Sequence, residues 1–159
     1  MLQSPKILLV PLDGSKGAEA AASYAAALAA KLGIPIRLLF AFPKDALEVF
    51  GLPPETMGGE QLESYSPAHV ASICDQRANH VFGSARRLIG DSSVQIEQAV
   101  LTGDPATAIL DHAEKVNAPL IIMGSRGLSR FSEMLMGSVS HRVLHHAKCP
   151  VTIVHSDAS

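Results

Sequence analysis

The sequence predicts a single α/β domain, doubly wound in three layers, with a mainly parallel sheet and helices on both faces. Five short apolar runs, each of strand length, alternate with segments of helical character. Most of these runs are continuously apolar, as strands covered on both faces must be. Strand–helix–strand order calls for right-handed crossovers, which leave the strands parallel. A chain of 159 residues makes one compact domain and is too short for two comfortable ones.

The first run, Lys6 to Leu12, is broken by Asp13-Gly14-Ser15, and Ser15 is placed to cap the next helix. That helix, Lys16 to Leu32, is dense in alanine, the best helix former, and Gly33 ends it as a C′ residue. The second strand is Ile36 to Phe42. From Pro43 to Pro67 the periodicity fails, with Pro53-Pro54 and Gly58-Gly59 as punctuation. Residues 43–66 read either as a lid over a ligand or as a surface insertion. A helix is predicted over Pro67 to Ile89, with Val70, Ile73, Ala78, Val81, Ala85 and Leu88 on one face. Val94 to Leu101 alternates early, as an edge strand does. A helix from Pro105 to Val116 opens on a favoured first-turn proline. Pro119 to Met123 is the most apolar run and is expected to be central. Gly124 to Met136 reads as loop, Ser138 to Ala147 as the fourth helix and Cys149 to His155 as the last strand.

Composition narrows the function. Hydrophobic residues make up 47% and charged residues 18%, which is globular and not disordered. Thirteen basic against 15 acidic residues give no electrostatic case for nucleic acid or an anionic membrane. Cys74 and Cys149 stand in no metal-like spacing and read as free thiols in a reducing compartment. Met1 to Lys6 lacks the basic and long apolar regions of a signal peptide, so a cytoplasmic location is expected.

In open parallel sheets ligands sit at the carboxyl ends of the strands, where chain order reverses. The residues to question are therefore Asp13, Ala41 to Pro43, Thr102 to Asp104 and Met123 to Gly127. Gly124 and Gly127 let backbone approach a ligand closely. Gly137-Ser138 opens a helix whose unpaired N–H groups and dipole favour an anion. Two such amide clusters on one strand end would cradle a polyphosphate, with the Ser138 and Ser140 hydroxyls adding donors and Arg126 or Arg130 screening charge. The competing reading makes the first pair a plain turn and Ser138 a plain helix cap. Asp13 likewise either meets a ligand or fixes the Gly14-Ser15 turn.

The spacing Gly124-x2-Gly127-x9-Gly137-Ser138 resembles the nucleotide-binding signature of the universal stress protein family. Ile7 to Ser15 resembles that family's first strand and turn, and Ile121 to Gly127 and Lys148 to Val154 its fourth and fifth strands. The likeness covers nearly the whole chain apart from Pro43 to Pro67. It implies a five-stranded parallel sheet of order 3-2-1-4-5 with ATP at the switch between strands 1 and 4. By this resemblance Asp13 accepts hydrogen bonds from ribose or adenine, and Ala41 meets the adenine edge through its backbone. Pro11 and Met123 form apolar walls, and Leu12 and Ser125 adjoin the site. Gly124, Arg126, Gly127, Gly137, Ser138, Val139 and Ser140 hold phosphates with a divalent metal, Mg2+ or Mn2+. Members that keep the glycine signature bind ATP, and members commonly dimerise through the last strand, here Val151 to Val154.

Three functions compete: an ATP-binding regulatory module, a slow ATPase or other nucleotidyl or phosphoryl transferase, and a nucleotide-independent interaction scaffold. No P-loop or HIGH-type histidine pair is present. Glu133 and Asp104 are the only carboxylates placed to serve as a base near Gly124 to Ser140, and both read as solvated, so binding ranks above turnover. His141, His145 and His146 share one helix; the i, i+4 pair reads as a solvated helix end, because the sequence names no third metal ligand.

Overall fold

The computed structural model of the chain describes residues 3–42, 66–126 and 136–156. In chain order the elements are β1 (Ile7–Pro11), α1 (Lys16–Leu32), β2 (Ile36–Phe42), α2 (Pro67–Ile89), β3 (Ile96–Thr102), α3 (Pro105–Glu114), β4 (Pro119–Gly124), α4 (Ser138–His146) and β5 (Val151–Val154). The five strands form one parallel sheet of order β3-β2-β1-β4-β5. This is the expected order. β1, not β4, is the geometric centre: it is third of the five, while β4, also interior between β1 and β5, lies one strand from the edge.

Alternation along the strands splits the core into two layers. Leu8, Val10, Ile36, Leu38, Phe40 and Ile122 pack against α1 and α2. Leu9, Leu39, Ile121 and Met123 point the other way, against Ala106, Ile109 and Ala113 of α3 and Val143 of α4. Leu8, Leu9, Leu38, Leu39, Ile121 and Ile122 are essentially inaccessible, and each contributes about 1.5–3 kcal/mol on burial. The alanines of α1 let that helix lie close to the sheet: Ala21, Ala22, Ala25 and Ala29 are fully buried.

Local chemistry sets the helix ends as the sequence reading expects. Ser15 caps α1 by accepting from the Ala18 amide at 3.2 Å, and Gly33 ends the helix in the left-handed conformation, φ 66°. Pro105 opens α3 behind an Asp104 cap. Other boundaries shift: β1 loses Lys6 and Leu12, β3 starts at Ile96, α3 stops at Glu114, and β5 keeps four residues. The face of α2 also turns out differently. Ala78, Val81 and Ala85 are buried, but Leu88 is 50% exposed, and Phe82 and Ile89 take its place against the core. A 23-residue helix drifts away from a regular i, i+3, i+4 count, so its last turn follows the sheet, not the template.

Among the described residues no helix is long and apolar enough to cross a membrane. The segment read as a lid or insertion, 43–66, falls almost wholly outside the described residues, and Glu133 falls outside them too.

Candidate functional site

An apolar-walled cavity of about 240 Å³ opens at the carboxyl ends of β1 and β4. This is where chain order reverses, because β1 leads through α1 to β2 while the chain returns to β4 on its other side. Pro11, Leu12 and Asp13 leave β1 along one wall, and Met123, Gly124 and Arg126 leave β4 along the other. Ala41 closes the β2 side. The first turn of α4, Ser138, Val139 and Ser140, enters behind Gly137.

The helix N-termini of the described residues are not equivalent. The first-turn amides of α1, α2 and α3 are capped by the Ser15 hydroxyl, the Ser66 hydroxyl and the Asp104 carboxylate. α4 begins at Gly137 with no side-chain cap. Among the described residues its first-turn donors therefore have neither an intrahelical acceptor nor a capping side-chain oxygen, and the residues that carry them line the cavity. Together with the helix dipole they make the α4 end of the cavity attractive to an anion.

Tight contacts fix that end in place. The Gly137 amide donates to the Ser125 carbonyl at 2.6 Å, and the Ser125 amide donates to the Val154 carbonyl at 3.0 Å. The buried Ser140 hydroxyl donates to the Gly124 carbonyl at 2.7 Å. On the opposite face Gly124 meets Gly17 of α1: a Cβ on Gly124 would lie 2.6 Å from the Gly17 carbonyl carbon. A Cβ on Gly17 would lie 2.5 Å from the Arg126 carbonyl oxygen. Gly124 thus has a packing role beside any ligand role, since only hydrogen on both residues lets α1 touch the end of β4.

The charges near the cavity are sparse. Asp13 is the one carboxylate among the described lining residues and Arg126 the one cation. Asp13 Oδ1 accepts from the Ser15 amide at 2.9 Å, so this carboxylate does fix the turn, and Asp13 stays exposed at the cavity rim. Asp104 accepts from the Thr107 amide and hydroxyl and pairs with Arg142 at 2.9 Å, tying α3 to α4. Those hydrogen bonds, Thr107 first, hold its carboxyl below the usual carboxylate range.

Of the residues singled out in the sequence, the cavity brings together Pro11, Leu12, Asp13, Ala41, Met123, Gly124, Arg126, Gly137, Ser138, Val139 and Ser140. Ser125 is buried but absent from the lining, and serves instead as the junction between β5 and α4. Gly127 and Arg130 lie outside the described residues.

Residues 5–155 match the family model described as the universal stress protein family. The chain belongs to the universal stress protein family. Similar curated members include a universal stress protein of Thermus aquaticus, 33% identical over 94% of this chain and 98% of its own. Another is universal stress protein MJ0531 of Methanocaldococcus jannaschii, 29% identical over 94% of this chain and 81% of its own. Among solved structures, that of the protein MJ0577 superposes with a TM-score of 0.75 at 24% identity, over 97% of this chain and 98% of the other. A universal stress protein in complex with cAMP superposes at 0.65, with 22% identity over 98% of this chain and 100% of the other. One from Archaeoglobus fulgidus in complex with dAMP superposes at 0.52, with 22% identity over 96% of this chain and 98% of the other.

In this universal stress protein the cavity also takes in Ser15, Ala18, Leu39, Pro105 and Ile109, which sequence reasoning left out. Pro105 and Ile109 follow the third strand end, so the rule that sites sit after strands pointed to their neighbourhood. Leu39 and Ala18 carried no signal, because a cavity-facing apolar residue and a core-facing one read alike.

Proposed function

We propose that this universal stress protein is a regulatory nucleotide-binding module, with an adenine nucleotide, ATP first, held at the ends of β1 and β4. The observation that carries the reading is the α4 N-terminus, left without a side-chain cap and facing the cavity. The bound cAMP and dAMP named for two structural neighbours support adenine nucleotides as the ligand class of this fold. The base would lie between Pro11 and Met123 with its edge on the Ala41 backbone, and Asp13 would meet ribose or base. The phosphates would extend over Gly124, Arg126 and Gly137 to Ser140, continuing the glycine signature that includes Gly127, with Arg130 as a further cation.

A divalent ion fits this donor set only in company with the nucleotide. Among the described residues no cluster of three or more His, Cys, Asp or Glu converges, and Asp13 is the one lining carboxylate. Mg2+ or Mn2+ would then be held by phosphate oxygens, water and at most Asp13, as is usual for nucleotide-bound Mg2+, and would neutralise phosphate charge. Binding is favoured over turnover. Asp104, the described carboxylate nearest in role to a base, is engaged by Thr107 and Arg142, and Asp13 is engaged by the Ser15 amide. The chain is read as one domain acting as a homodimer through Val151–Val154, whose residues are all half-buried in a strand paired on one side only. The 43–66 segment is read as covering the site.

The decisive experiment is mass spectrometry of co-purified nucleotide, followed by calorimetric titration with ATP and MgCl2. Saturable binding that weakens in Asp13→Ala and in Gly127→Gln upholds the proposal. A protein that carries no nucleotide, takes up no heat and shows no thermal shift with ATP refutes it in favour of an interaction scaffold.

A further inference from the structure

On the outer surface of α4, one turn beyond the cavity, His141 and His145 stand at i and i+4. Both side chains are exposed, and their rings lie 4.3 Å apart, centre to centre, with planes inclined by 44°. The third histidine of the helix is turned away: His146 Nδ1 contacts the Arg142 carbonyl at 2.9 Å. The two cations closest in sequence are engaged elsewhere, Arg142 with Asp104 and Lys148 with Glu114, each at 2.9 Å. Among the described residues the pair therefore faces solvent with no free guanidinium or ammonium drawn across it.

The separation of the rings has a chemical meaning. With metal–nitrogen bonds of about 2.1 Å, an ion bound by two imidazoles sits roughly 3.2 Å from each ring centre. A right angle at the metal then puts the centres about 4.6 Å apart, and a tetrahedral angle about 5.3 Å. The observed 4.3 Å is within about 0.3 Å of the first value, a difference that small side-chain rotations absorb.

We propose that His141 and His145 form a two-histidine chelate for a late first-row divalent cation with right-angled neighbouring positions, of the Ni2+ or Cu2+ class. Water fills the other positions, because among the described residues no third His, Cys, Asp or Glu converges on the pair. Imidazole selects such borderline ions over Mg2+, which takes oxygen, so this site and a nucleotide-borne Mg2+ sort different metals. Chelation across one turn also staples a nine-residue helix that is too short to persist alone.

The test is calorimetric titration of the full chain with NiCl2 near neutral pH, with His141→Ala, His145→Ala and His146→Ala alongside. The expected result is one site per chain. Each of the first two changes weakens it roughly a hundredfold, because the second imidazole binds as a linked, intramolecular ligand. His146→Ala leaves it unchanged. Alanine at these exposed helical positions favours the helix, and thermal melts of the variants confirm folding. Absence of saturation in the wild type, equal binding by all variants, loss in only one of the two, or a Ni2+-dependent dimer in sedimentation each overturns the proposal. None of these readouts involves nucleotide.

Discussion

Replacing Gly17 by alanine sets two well-measured effects against each other. Gly17 is the second residue of α1, and alanine's advantage over glycine, about 1 kcal/mol in a helix interior, is at most that in this first turn. Propensity alone predicts stabilisation. The new methyl, however, would stand 2.5 Å from the Arg126 carbonyl oxygen, where ordinary contacts begin at 3.4 Å. The overlap is against backbone held by β4 and β5, not against a flexible side-chain tip, so relief requires α1 to move off the sheet. Overpacking of this kind costs about 1–3 kcal/mol, and the lack of a soft neighbour puts this site at the upper end. The net loss is about 2 kcal/mol, and the melting temperature falls by roughly 4–8 °C for a chain of this size. Urea denaturation followed by far-UV circular dichroism, with thermal melts, measures it. A variant equal to or more stable than the wild type would show that α1 and the end of β4 do not touch as described, and the account of Gly124 would fall with it.

Three further outcomes follow from single contacts. Ser140→Ala removes the hydroxyl that donates to the Gly124 carbonyl at 2.7 Å and strands a buried acceptor, costing about 1–3 kcal/mol by denaturant melt and weakening nucleotide uptake in the same protein. Arg142→Ala breaks an ion pair whose partners are 48% and 50% exposed, so the loss is small, about 0.2–1 kcal/mol, and it shrinks with added salt. His112 is held below its ordinary pKa by burial first and by the Arg37 and Lys115 charges next. Its folded form thus binds fewer protons than its unfolded form, so stability drops as pH falls through about 6.5 and levels off below the folded value. Urea midpoints at about pH 7.5 and about pH 5.5 should differ more in the wild type than in His112→Gln.

The legible part of the fold is the part governed by local rules. Lys16–Leu32, Ile36–Phe42 and Pro67–Ile89 have the boundaries read from the sequence, because alanine content, a glycine in the left-handed conformation and N-terminal serine caps act within one turn. Apolar density misled where it stood in for position. Pro119–Met123 is the most apolar run and is interior, between β1 and β5, yet the middle place of the five belongs to β1, because topology and not hydropathy sets the strand order. Leu88 looked like part of the apolar face and is exposed, since the face is set by how α2 meets β2 and α1. At the site the strand-end rule located Asp13, Ala41, Met123 and Gly124, whereas Leu39 and Ala18 become visible only when the two sides of the sheet are assembled.

At Gly124 a packing role and a ligand role fall on the same residue. From the sequence, Gly124 reads as room for a ligand to approach backbone, and the cavity is consistent with that. Its absent Cβ, however, points at Gly17, and its carbonyl is held by Ser140 on the other side. A side chain at 124 would push away α1, whose Ser15 cap and Asp13 turn form the opposite wall of the same cavity. Even a chain that bound no phosphate would need glycine there to bring the two walls together, so Gly124 alone cannot separate a nucleotide site from a scaffold. The discriminating feature is Gly137. It begins α4 without a side-chain cap where the three other described helices have one. A glycine start forgoes a few tenths of a kcal/mol relative to Ser, Thr, Asn or Asp, and leaves the first-turn amides open to an outside acceptor. A scaffold gains nothing from that loss. A site whose ligand supplies the missing acceptor recovers it on binding, and that is the physical reason for placing the phosphates at α4.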